Sequence, residues 1–366
     1  TVSVGVSIPV AGAVVTFTTS VSSTTVTVNH QNHGATVGSF VIFSNVSFGN
    51  STFNALAALL TGEFEITSTS GGSYNITIAS NAGFDLVSSG IADADYLLNA
   101  GSSEQILGTG WGADAWGSGG WGIAASDAIV LTEELRIWSQ DNFGEDLILL
   151  PRNGELFYWD KTNGLDTRAF PILSRNSDAP TQSRPVLVSD RDRHVLVFGT
   201  TPTGGGTLDP LLIRFSSQED PFDWTPTSTN TAGDLRIGSG SEIVAAVETR
   251  REIVVITDTS VHSLQFIGAP FTFGVSQISG NITIRNSKAA IANNDVVFWM
   301  GYDRFYLYDG RVQPIPCTVR DYVFDDFNLL QREKVVAATN TAFSEIWWFY
   351  PSGSSDNNDR YVVYNY

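Results

Sequence analysis

The sequence contains little positive charge, and this scarcity excludes one class of function. Lysine and arginine together number 20 against 38 aspartates and glutamates, which gives a formal net charge of −18. A protein that grips nucleic acid needs basic residues clustered on one face. The sequence therefore argues against a nucleic-acid-gripping protein, whereas negative charge suits a wall that DNA passes without sticking.

Cysteine and long apolar runs are also scarce. The single cysteine, Cys317, allows no internal disulfide, so the fold is expected to be stable without cross-links. No apolar run approaches the roughly 18 residues of a membrane-spanning helix. The apolar opening, TVSVGVSIPVAGAVV, has no basic residue before it, which argues against a signal peptide. The chain starts without methionine and stops on the strand-like RYVVYNY, so we expect both ends to be cut from something longer.

The residues that are abundant favour strands joined by tight turns. Hydrophobic residues make up 42% of the chain and charged residues only 16%, below the usual charged share of about 25%. Lys, Glu and Met are few, while Thr, Ser, Val, Gly and aromatic residues are common. We therefore predict an all-β fold with a buried core. A length of 366 residues predicts two domains or one large repetitive fold.

Residues 1–100 form a first block that is rich in Ser, Thr, Asn and Gly and almost free of Lys and Arg. Within it, STTVTVNH, GSFVIFSNV, GEFEITSTS and SYNITIAS alternate apolar and polar residues, as half-buried strands do. Only FNALAALLTG predicts a short helix, with Gly62 in the C-cap position. The block predicts a small β-barrel or sandwich module, because open sheet edges would aggregate.

Residues 131–366 contain loosely similar units of strands and turns that recur roughly every 45 to 50 residues. This period is typical of the blades of a β-propeller, which are stacked antiparallel sheets in a ring. In the clearest unit, the turns Asn293–Asp295 and Gly301–Asp303 join AAIA, VVFWM and RFYLYDG into a meander. Whether the ring closes within one chain or with partner subunits stays open. The expected aromatic residues of the propeller core are Trp138, Trp159, Trp299 and Trp347.

Residues 101–130 look like a flexible linker but contain three of the nine tryptophans, in GWGADAWGSGGWG. Trp111, Trp116 and Trp121 are spaced by five residues, which matches neither a helix face nor one side of a strand. Each is followed by glycine, whose backbone freedom lets the chain turn while the indole enters a pocket. We predict a strap that these rings anchor on its own propeller or on an adjacent subunit. The alternative is a platform of exposed rings that stacks on sugars.

Two parts of the sequence resemble bacteriophage structural proteins. The first part resembles a small β module that is inserted in many such proteins, and it consists of TTVTVNHQNHGATVGSFVIFSNV, TGEFEIT and SYNITI. The second part is similar to the β-propeller nozzle, or distal tail-tube, proteins of short-tailed phages. It consists of the Trp-rich segment, LRIWSQDNFGEDLILLPRNGELFYWD, FIGAPFTFGVSQISGNITI, WMGYDRFYLYDGRVQPIPCTVRDYVFDDFN and EIWWFYPSGSSDNNDRYVVYNY. The resemblance spans almost the whole chain and is most specific between Leu135 and Asp160.

This resemblance implies a structural protein of the virion tail. Such nozzles form a homo-oligomeric ring, here a hexamer, that continues the DNA ejection channel and closes it until ejection. The resemblance implies contacts with other tail proteins, such as the adaptor and fibres, and with the host surface, while the genome passes without specific binding. Residues 1–100 would then be an insertion in the propeller. Two other functions stay open: a tail adhesin that binds host glycans, and a propeller-fold polysaccharide hydrolase.

Candidate catalytic and metal-binding residues are sparse, so we predict neither an enzyme nor a cofactor. His30 and His33 have no cysteine or carboxylate nearby, and we interpret them as a polar turn rather than a metal site. A glycosidase needs two carboxylates across a sugar bond, yet no sialidase-type Asp-box is present, and we assign no catalytic residue. The acidic clusters are Asp141, Glu145, Asp146, Asp325 and Asp326.

Three further features have structural interpretations. SSDNNDR, residues 354–360, lacks the glycine and the distant glutamate of a calcium-binding loop and predicts a solvated hairpin loop. SRPVLVSDRDRH, residues 183–194, alternates Asp and Arg and predicts a salt-bridged hairpin. Cys317 predicts a small buried side chain.

Overall fold

The protein is described from a computed structural model. It covers residues 14–97 apart from 32, 34, 36 and 71, residue 105, and residues 135–164, 169–268 and 271–366. The prediction of an all-β fold, with a propeller and a small N-terminal β module, is confirmed. Two compact units are present, Thr1–Asn99 with Trp159–Phe170 and Ala100–Tyr158 with Pro171–Tyr366. In the described part of the chain, no helix has the length and apolar character needed to cross a bilayer.

The first unit is built on one curled, seven-stranded antiparallel sheet that forms a half-barrel. Its strands are β1 (Val14–Thr19), β2 (Thr25–Asn29), β3 (Phe40–Ser47), β4 (Gly62–Glu65), β5 (Ser68–Ser70), β6 (Ser73–Thr77) and β7 (Leu86–Leu97). They lie in the order β4-β3-β7-β1-β2-β6-β5. Buried and accessible residues alternate along β2, β3 and β6, so one face of the sheet forms the core.

One short helix packs against this sheet. It is α1 (Asn54–Leu60), which follows a 3-10 turn, Ser51–Phe53. Its buried leucines join the core of the half-barrel. The helix ends at an extended C-cap, Thr61, so the predicted C-cap at Gly62 is wrong. Gly62 instead begins β4, with a φ of +129° that side-chain-bearing residues rarely adopt.

Five further sheets are the blades of a β-propeller. Blade one consists of β8 (Trp138–Phe143), β9 (Asp146–Pro151), β10 (Phe157–Trp159) and β11 (Phe170–Pro171). Blade two consists of β12 (Val186–Val188), β13 (Val195–Thr200), β14 (Asp209–Phe215) and β15 (Gly233–Arg236). Blade three consists of β16 (Ile243–Glu248), β17 (Ile253–Thr257), β18 (Ser260–Gly268) and β19 (Thr272–Gly280). Blade four consists of β20 (Ala290–Asn293), β21 (Val296–Met300), β22 (Phe305–Tyr308) and β23 (Val312–Ile315). Blade five consists of β24 (Val336–Asn340), β25 (Glu345–Tyr350) and β26 (Arg360–Asn365). The propeller also contains α2 (Arg320–Asp325) and 3-10 turns at Ile172–Ser174 and Arg332–Lys334, and a further 3-10 turn is Lys161–Asn163.

The first strand of each blade is its inner strand. These strands contact one another in the order β8, β12, β16, β20 and β24. Blades one and five are joined by a side-chain pair, Arg152 Nη1 to Glu333 Oε2 at 3.3 Å. They are also joined through Gln105, whose backbone N–H donates to Gln331 Oε1 at 3.1 Å and whose Oε1 accepts from the Leu135 N–H at 3.2 Å.

The turns between strands follow from local sequence. Asn294, between β20 and β21, has a φ of +56°, a left-handed conformation that asparagine tolerates better than most residues. Gly144, between β8 and β9, has a φ of +70°. The predicted meander of blade four is therefore present, with its strands in the predicted order.

The propeller core lies between the blades. The second strands of blades two and three are buried along their whole length, because a neighbouring blade covers each face. One apolar cluster joins blades three, four and five, and a second joins blades two and three.

The tryptophans expected in this core occupy different environments. Trp299 is fully buried, and its indole N–H donates to Thr283 O at 3.2 Å. Trp138 and Trp159 are half-buried. The core tryptophan of β25 is Trp348, whereas Trp347 lies half-buried on the opposite face of the strand.

Candidate functional site

A cavity of about 630 Å³ lies where the inner strands begin, and we call it the axial cavity. It lies within the second unit. Apolar side chains in or beside the inner strands of blades one, two and three form one part of its wall, and charged side chains form another. The apolar residues of the first part are Ile137, Pro185, Val186, Ile243, Val244 and Ala246. The charged residues are Arg152, which follows β9, and Arg184, Glu242, Lys288, Arg332 and Glu333 from the loops before inner strands, where Leu329 and Leu330 also line the cavity.

The charged wall has an excess of positive charge, with four basic residues and two acidic ones. The Arg184 guanidinium is paired with the Glu242 carboxylate. Glu333 lies between Arg152 at 3.3 Å and Arg332 at 3.6 Å. This local balance is opposite in sign to the net charge of −18 of the whole chain.

Glu333 is the most enclosed carboxylate of the cavity. Burial raises the pKa of its carboxyl, because surrounding protein removes hydration from the charged form. The two arginine neighbours oppose this effect, and the more distant Glu242 adds to it. The ion pair with Arg152 therefore stabilises the charged form of Glu333 at a position where burial of an unpaired carboxylate would destabilise the fold.

Lys288 is the basic residue of the cavity without a carboxylate partner. Among the described residues, none forms an ion pair with its ammonium. Burial lowers the pKa of Lys288 from its ordinary value of 10.5, because surrounding protein disfavours the charged form. The residue is nevertheless exposed, so its charge, which has no carboxylate partner in the described part of the chain, remains accessible to solvent and to a ligand.

The backbone that carries Lys288 is fixed by Asn286, which is 2% exposed. The Asn286 side-chain amide donates to Arg332 O at 2.8 Å and to Val335 O at 3.1 Å, and its oxygen accepts from the Lys288 N–H at 2.8 Å. Lys288 O in turn accepts from the Ala337 N–H at 2.8 Å. These bonds hold the loops before β20 and β24 together, so the charged wall is preorganised.

The charged residues of the cavity were missed at the sequence level, although a signal for them exists. Serine followed by a charged residue stands just before the inner strand in blades two, three and four, with at most one residue between the pair and the strand, as Ser183-Arg184, Ser241-Glu242 and Ser287-Lys288. Equivalent positions in propeller blades face the same end of the axis. Aligning the units on their inner strands would have brought these side chains together.

Carboxylates gather at the opposite ends of three inner strands. Asp141 Oδ2 accepts from the Val188 N–H at 2.8 Å, and Glu248 Oε1 accepts from the Asp190 N–H at 3.1 Å. Burial raises the pKa of both Asp141 and Glu248, and the neighbouring Asp190 adds to the shift. These carboxylates accept backbone hydrogen bonds and so close the junctions between blades one, two and three.

The other acidic residues noted in the sequence lie elsewhere. Asp146 accepts a hydrogen bond from Tyr158 Oη, and Glu145 is exposed in the turn before β9. Asp325 ends α2, and Asp326 pairs with Arg360 Nη1 at 2.6 Å. The geometry gives none of these residues a partner carboxylate across a cleft.

His30 and His33 follow β2 and take part in a network of polar contacts. His33 is 3% exposed; its Nε2 lies 2.9 Å from Ser70 O and its Nδ1 accepts from the Ala35 N–H. His30 Nδ1 lies 2.5 Å from Tyr96 Oη. Burial lowers the pKa of His30 and raises the pKa of Tyr96 to about 12. No cluster of three or more His, Cys, Asp or Glu side chains with metal-binding geometry occurs among the described residues.

The remaining sequence features are structural where they are described. In the 354–360 loop, Asp359 accepts hydrogen bonds from Ser352 N and Oγ at 2.7 Å, which fixes a hairpin between β25 and β26. Arg191 is exposed and lies 3.8 Å from Asp192. Cys317 is half-buried beside a cavity of about 130 Å³. Trp111, Trp116 and Trp121 lie outside the described residues.

Blade five has a partly uncovered apolar face. Trp347 stacks on Tyr361, with ring centroids 4.9 Å apart and planes 25° apart, and Phe349 lies beside both rings. Tyr361 is 59% exposed and Val363 is 36% exposed. We call these four residues the open face of blade five.

Comparisons with known proteins give only weak similarities. No known protein-family profile matches the sequence, and no curated protein matches it. Solved structures with weak similarity include apo AztD from Citrobacter koseri, with 10% identity over 96% of this chain and 95% of that chain at a TM-score of 0.35. The phage phi92 endosialidase shares 11% identity over 92% of this chain and 45% of its own, at a TM-score of 0.24. The extracellular domain of a one-component system from B. thetaiotaomicron shares 10% identity at a TM-score of 0.36, over 59% of this chain and 25% of its own length. At these scores the similarities carry no argument about function.

Proposed function

We propose that this protein is a structural component of a bacteriophage tail, which assembles with copies of itself into a nozzle ring that continues and gates the DNA ejection channel. The assignment to a phage tail and the ring-shaped assembly both come from the sequence resemblance to nozzle proteins. The structural feature that supports self-assembly is blade five, with its open face and its unguarded outer strand. The proposal includes no catalytic step.

The outer strand of each complete blade carries a feature that discourages pairing with another chain. β11 and β23 contain Pro171 and Pro314, and proline cannot donate a backbone hydrogen bond. β15 contains the charged Asp234 and Arg236. β19 pairs with β18 through two register irregularities, which also blunt an edge.

β26 has none of these features beyond Arg360 at its first residue. Its sequence, RYVVYN, has four consecutive apolar or aromatic residues, alternates in exposure, and pairs with β25 in unbroken register. Among the described residues, no strand pairs with its other edge. An exposed, regular and apolar edge is a template for a strand from another molecule.

We assign this edge and the open face to a second copy of the chain. Hydrogen bonding along β26 and burial of Trp347, Phe349 and Tyr361 would stabilise the contact together, because aromatic side chains contribute much of the energy of protein interfaces. Repetition of one such contact around a rotation axis closes a ring. The DNA conduit would then lie between copies, because a cavity of about 630 Å³ is too small for a double helix.

Gating in this proposal is mechanical and electrostatic. The net charge of −18 permits a conduit wall that repels phosphates, while loops constrict the lumen until the host is met. In this proposal the ring is part of the virion tail and contacts other tail proteins. A ring whose lumen is lined by basic residues would contradict this mechanism.

Lysine substitutions in blade five test the assembly. Tyr361→Lys and Val363→Lys should convert the oligomer to monomer, because a charge would be buried in the contact. Native mass spectrometry gives the subunit number, and electron microscopy gives the rotational symmetry. Val87→Lys is the matched control, because Val87 is an 83% exposed strand residue of the first unit. A six-fold ring supports the nozzle, whereas a wild-type protein that stays monomeric, or a three-fold particle, contradicts it.

A second candidate, a host-glycan adhesin, is favoured by the same aromatic stack. Trp347 and Tyr361 present nearly parallel rings, which is a geometry suited to sugar faces. Glycan-array binding that disappears in Trp347→Ala while the oligomer persists would favour this reading over the ring contact.

A further inference from the structure

The axial cavity has a feature that ring assembly does not use. It combines an apolar wall with a charged wall of four basic and two acidic residues. Both carboxylates have arginine partners, whereas Lys288 has none among the described residues. A cation that folding leaves unpaired in a concave site is an anchor for an anion.

We propose that the axial cavity is a binding site for a small organic anion, with Lys288 as the anchor of its carboxylate or phosphate group and the apolar wall as the surface for its body. The cavity volume of about 630 Å³ lies within the range of small-molecule sites. The ligand therefore bridges inner strands of several blades.

The charges around Lys288 favour an anion over a cation. The four basic and two acidic side chains of the charged wall leave an excess of positive charge around Lys288. Arg184 is paired with Glu242. A cationic ligand would therefore meet an excess of like charge, whereas an anion can accept a charge-assisted hydrogen bond from the Lys288 ammonium.

The site is also built before the ligand arrives. The Asn286 amide fixes the loop of Lys288 to the backbone of Arg332 and Val335. Lys288 O is bonded to the Ala337 N–H at 2.8 Å. A preorganised wall lowers the ordering cost of binding, so a small anion gains affinity without refolding the loops.

The apolar wall sets the expected shape of the ligand. It comes from blades one, two and three, and includes Ile137, Val186 and Ile243. A flat or ring-shaped body could pack there while its acidic group reaches the loops of blades four and five. This division predicts that affinity depends on both the charge and the apolar body.

Isothermal titration calorimetry with three probes of matched size tests the proposal on the intact protein. Benzoate and phenyl phosphate carry a ring and an anionic group, whereas benzamide carries the same ring without charge. We expect saturable binding of the two anions and at least tenfold weaker binding of benzamide. Absence of saturable binding of both anions at millimolar concentration, or equal affinity for benzamide, would overturn the proposal.

Substitutions at Lys288 give a second test. Lys288→Met should weaken benzoate binding at least tenfold, while Lys288→Arg should retain it. Arg251→Met, at an 82% exposed side chain in a surface turn, removes the same charge and should leave the affinity unchanged. Circular dichroism of each variant confirms that the fold persists. Wild-type affinity in Lys288→Met would contradict the proposal.

The pH dependence separates an anchoring role from a structural one. Burial lowers the pKa of Lys288, so anion affinity should fall as pH rises from neutrality toward 10.5, as the ammonium loses its proton. The charged groups that face it are Arg152, Arg184, Arg332, Glu242 and Glu333. Lys288→Arg should abolish the loss of affinity. A loss that persists in Lys288→Arg would contradict the assignment.

Discussion

Blades four and five both have an aromatic-rich second strand, but these two strands differ in how many of their side chains are buried. β21 of blade four is buried from Val297 to Met300 because blades three and five cover it. β25 of blade five alternates buried and half-buried residues along EIWWFY, because, among the described residues, the apolar cluster takes up the side chains of one face, Ile346, Trp348 and Tyr350. The two strands differ in what surrounds them more than in what they contain. Position in the ring therefore decides which aromatic residues stabilise the fold and which remain for a partner.

The strongest test of this comparison replaces the buried tryptophan of each blade. Trp299 is 0% exposed, and its ring stacks on Tyr306 with centroids 5.2 Å apart. Trp348 is 1% exposed and donates its indole N–H to Ala289 O at 3.0 Å. Trp299→Ala and Trp348→Ala should each lower the free energy of unfolding by about 3 to 5 kcal/mol. Urea denaturation measures both.

Trp347→Ala is the matched control for Trp348→Ala, because the two residues are adjacent and point to opposite faces. Trp347 is half-buried, and its indole N–H reaches only the Glu345 carboxylate at 3.0 Å. Its removal should cost the monomer about 1 kcal/mol or less. Equal losses in Trp347→Ala and Trp348→Ala would show that blade five is covered on both faces and would break the comparison.

A second, smaller effect concerns the connection from blade four to blade five. Arg285 is 5% exposed, donates from Nε to Gly301 O at 3.1 Å and from Nη2 to Tyr302 O at 2.5 Å, and lies 4.3 Å from the Phe327 ring. Burial lowers its pKa to about 10. Arg285→Met keeps part of the packing but leaves the two carbonyls without this donor, and should cost about 3 kcal/mol in urea denaturation.

Arg304→Met is the control for Arg285→Met. Arg304 forms a surface pair with Asp303 at 2.7 Å and its side chain is 48% exposed, so its removal should change the free energy of unfolding much less than the removal of Arg285 does. A loss in Arg304→Met as large as that in Arg285→Met would mean that the turn, and not the buried guanidinium, joins the blades.

The smallest effect is expected at the outer strand of blade four. Pro314 is exposed in β23, so Pro314→Thr should change the free energy of unfolding by no more than about 0.5 kcal/mol. It should instead raise the tendency to associate, because the edge regains a backbone donor. Light scattering measures this. Unchanged association would remove proline from the features that distinguish blade four from blade five.

Much of the architecture could be predicted from the sequence because it depends on local patterns. Alternation and turn residues identified the meander of blade four, including Asn294 at its tight turn. The face on which each aromatic residue lies could not be predicted in blade five, because alternation shows two faces without showing which one a neighbour covers. Trp347 and Trp348 are therefore indistinguishable in the sequence WW.

The axial cavity was missed at the sequence level for a different reason, which is that its signal appears only when the repeated units are aligned on their inner strands. Arg184, Glu242 and Lys288 are separated by tens of residues and meet only when the inner strands are placed around one axis. Each looks like an ordinary loop charge in isolation. The buried pairing of His33 was missed in a similar way, because its partner Ser70 is distant in sequence.

In the proposed ring, the regular outer strand of blade five would also affect a subunit that has not yet assembled. Its β26 would offer the same template to any unfolded or partly folded chain as it offers to the second copy. A slow encounter between copies would leave more time for disordered aggregates to grow. The yield of folded protein would then depend on how soon two copies dock and cover the edge.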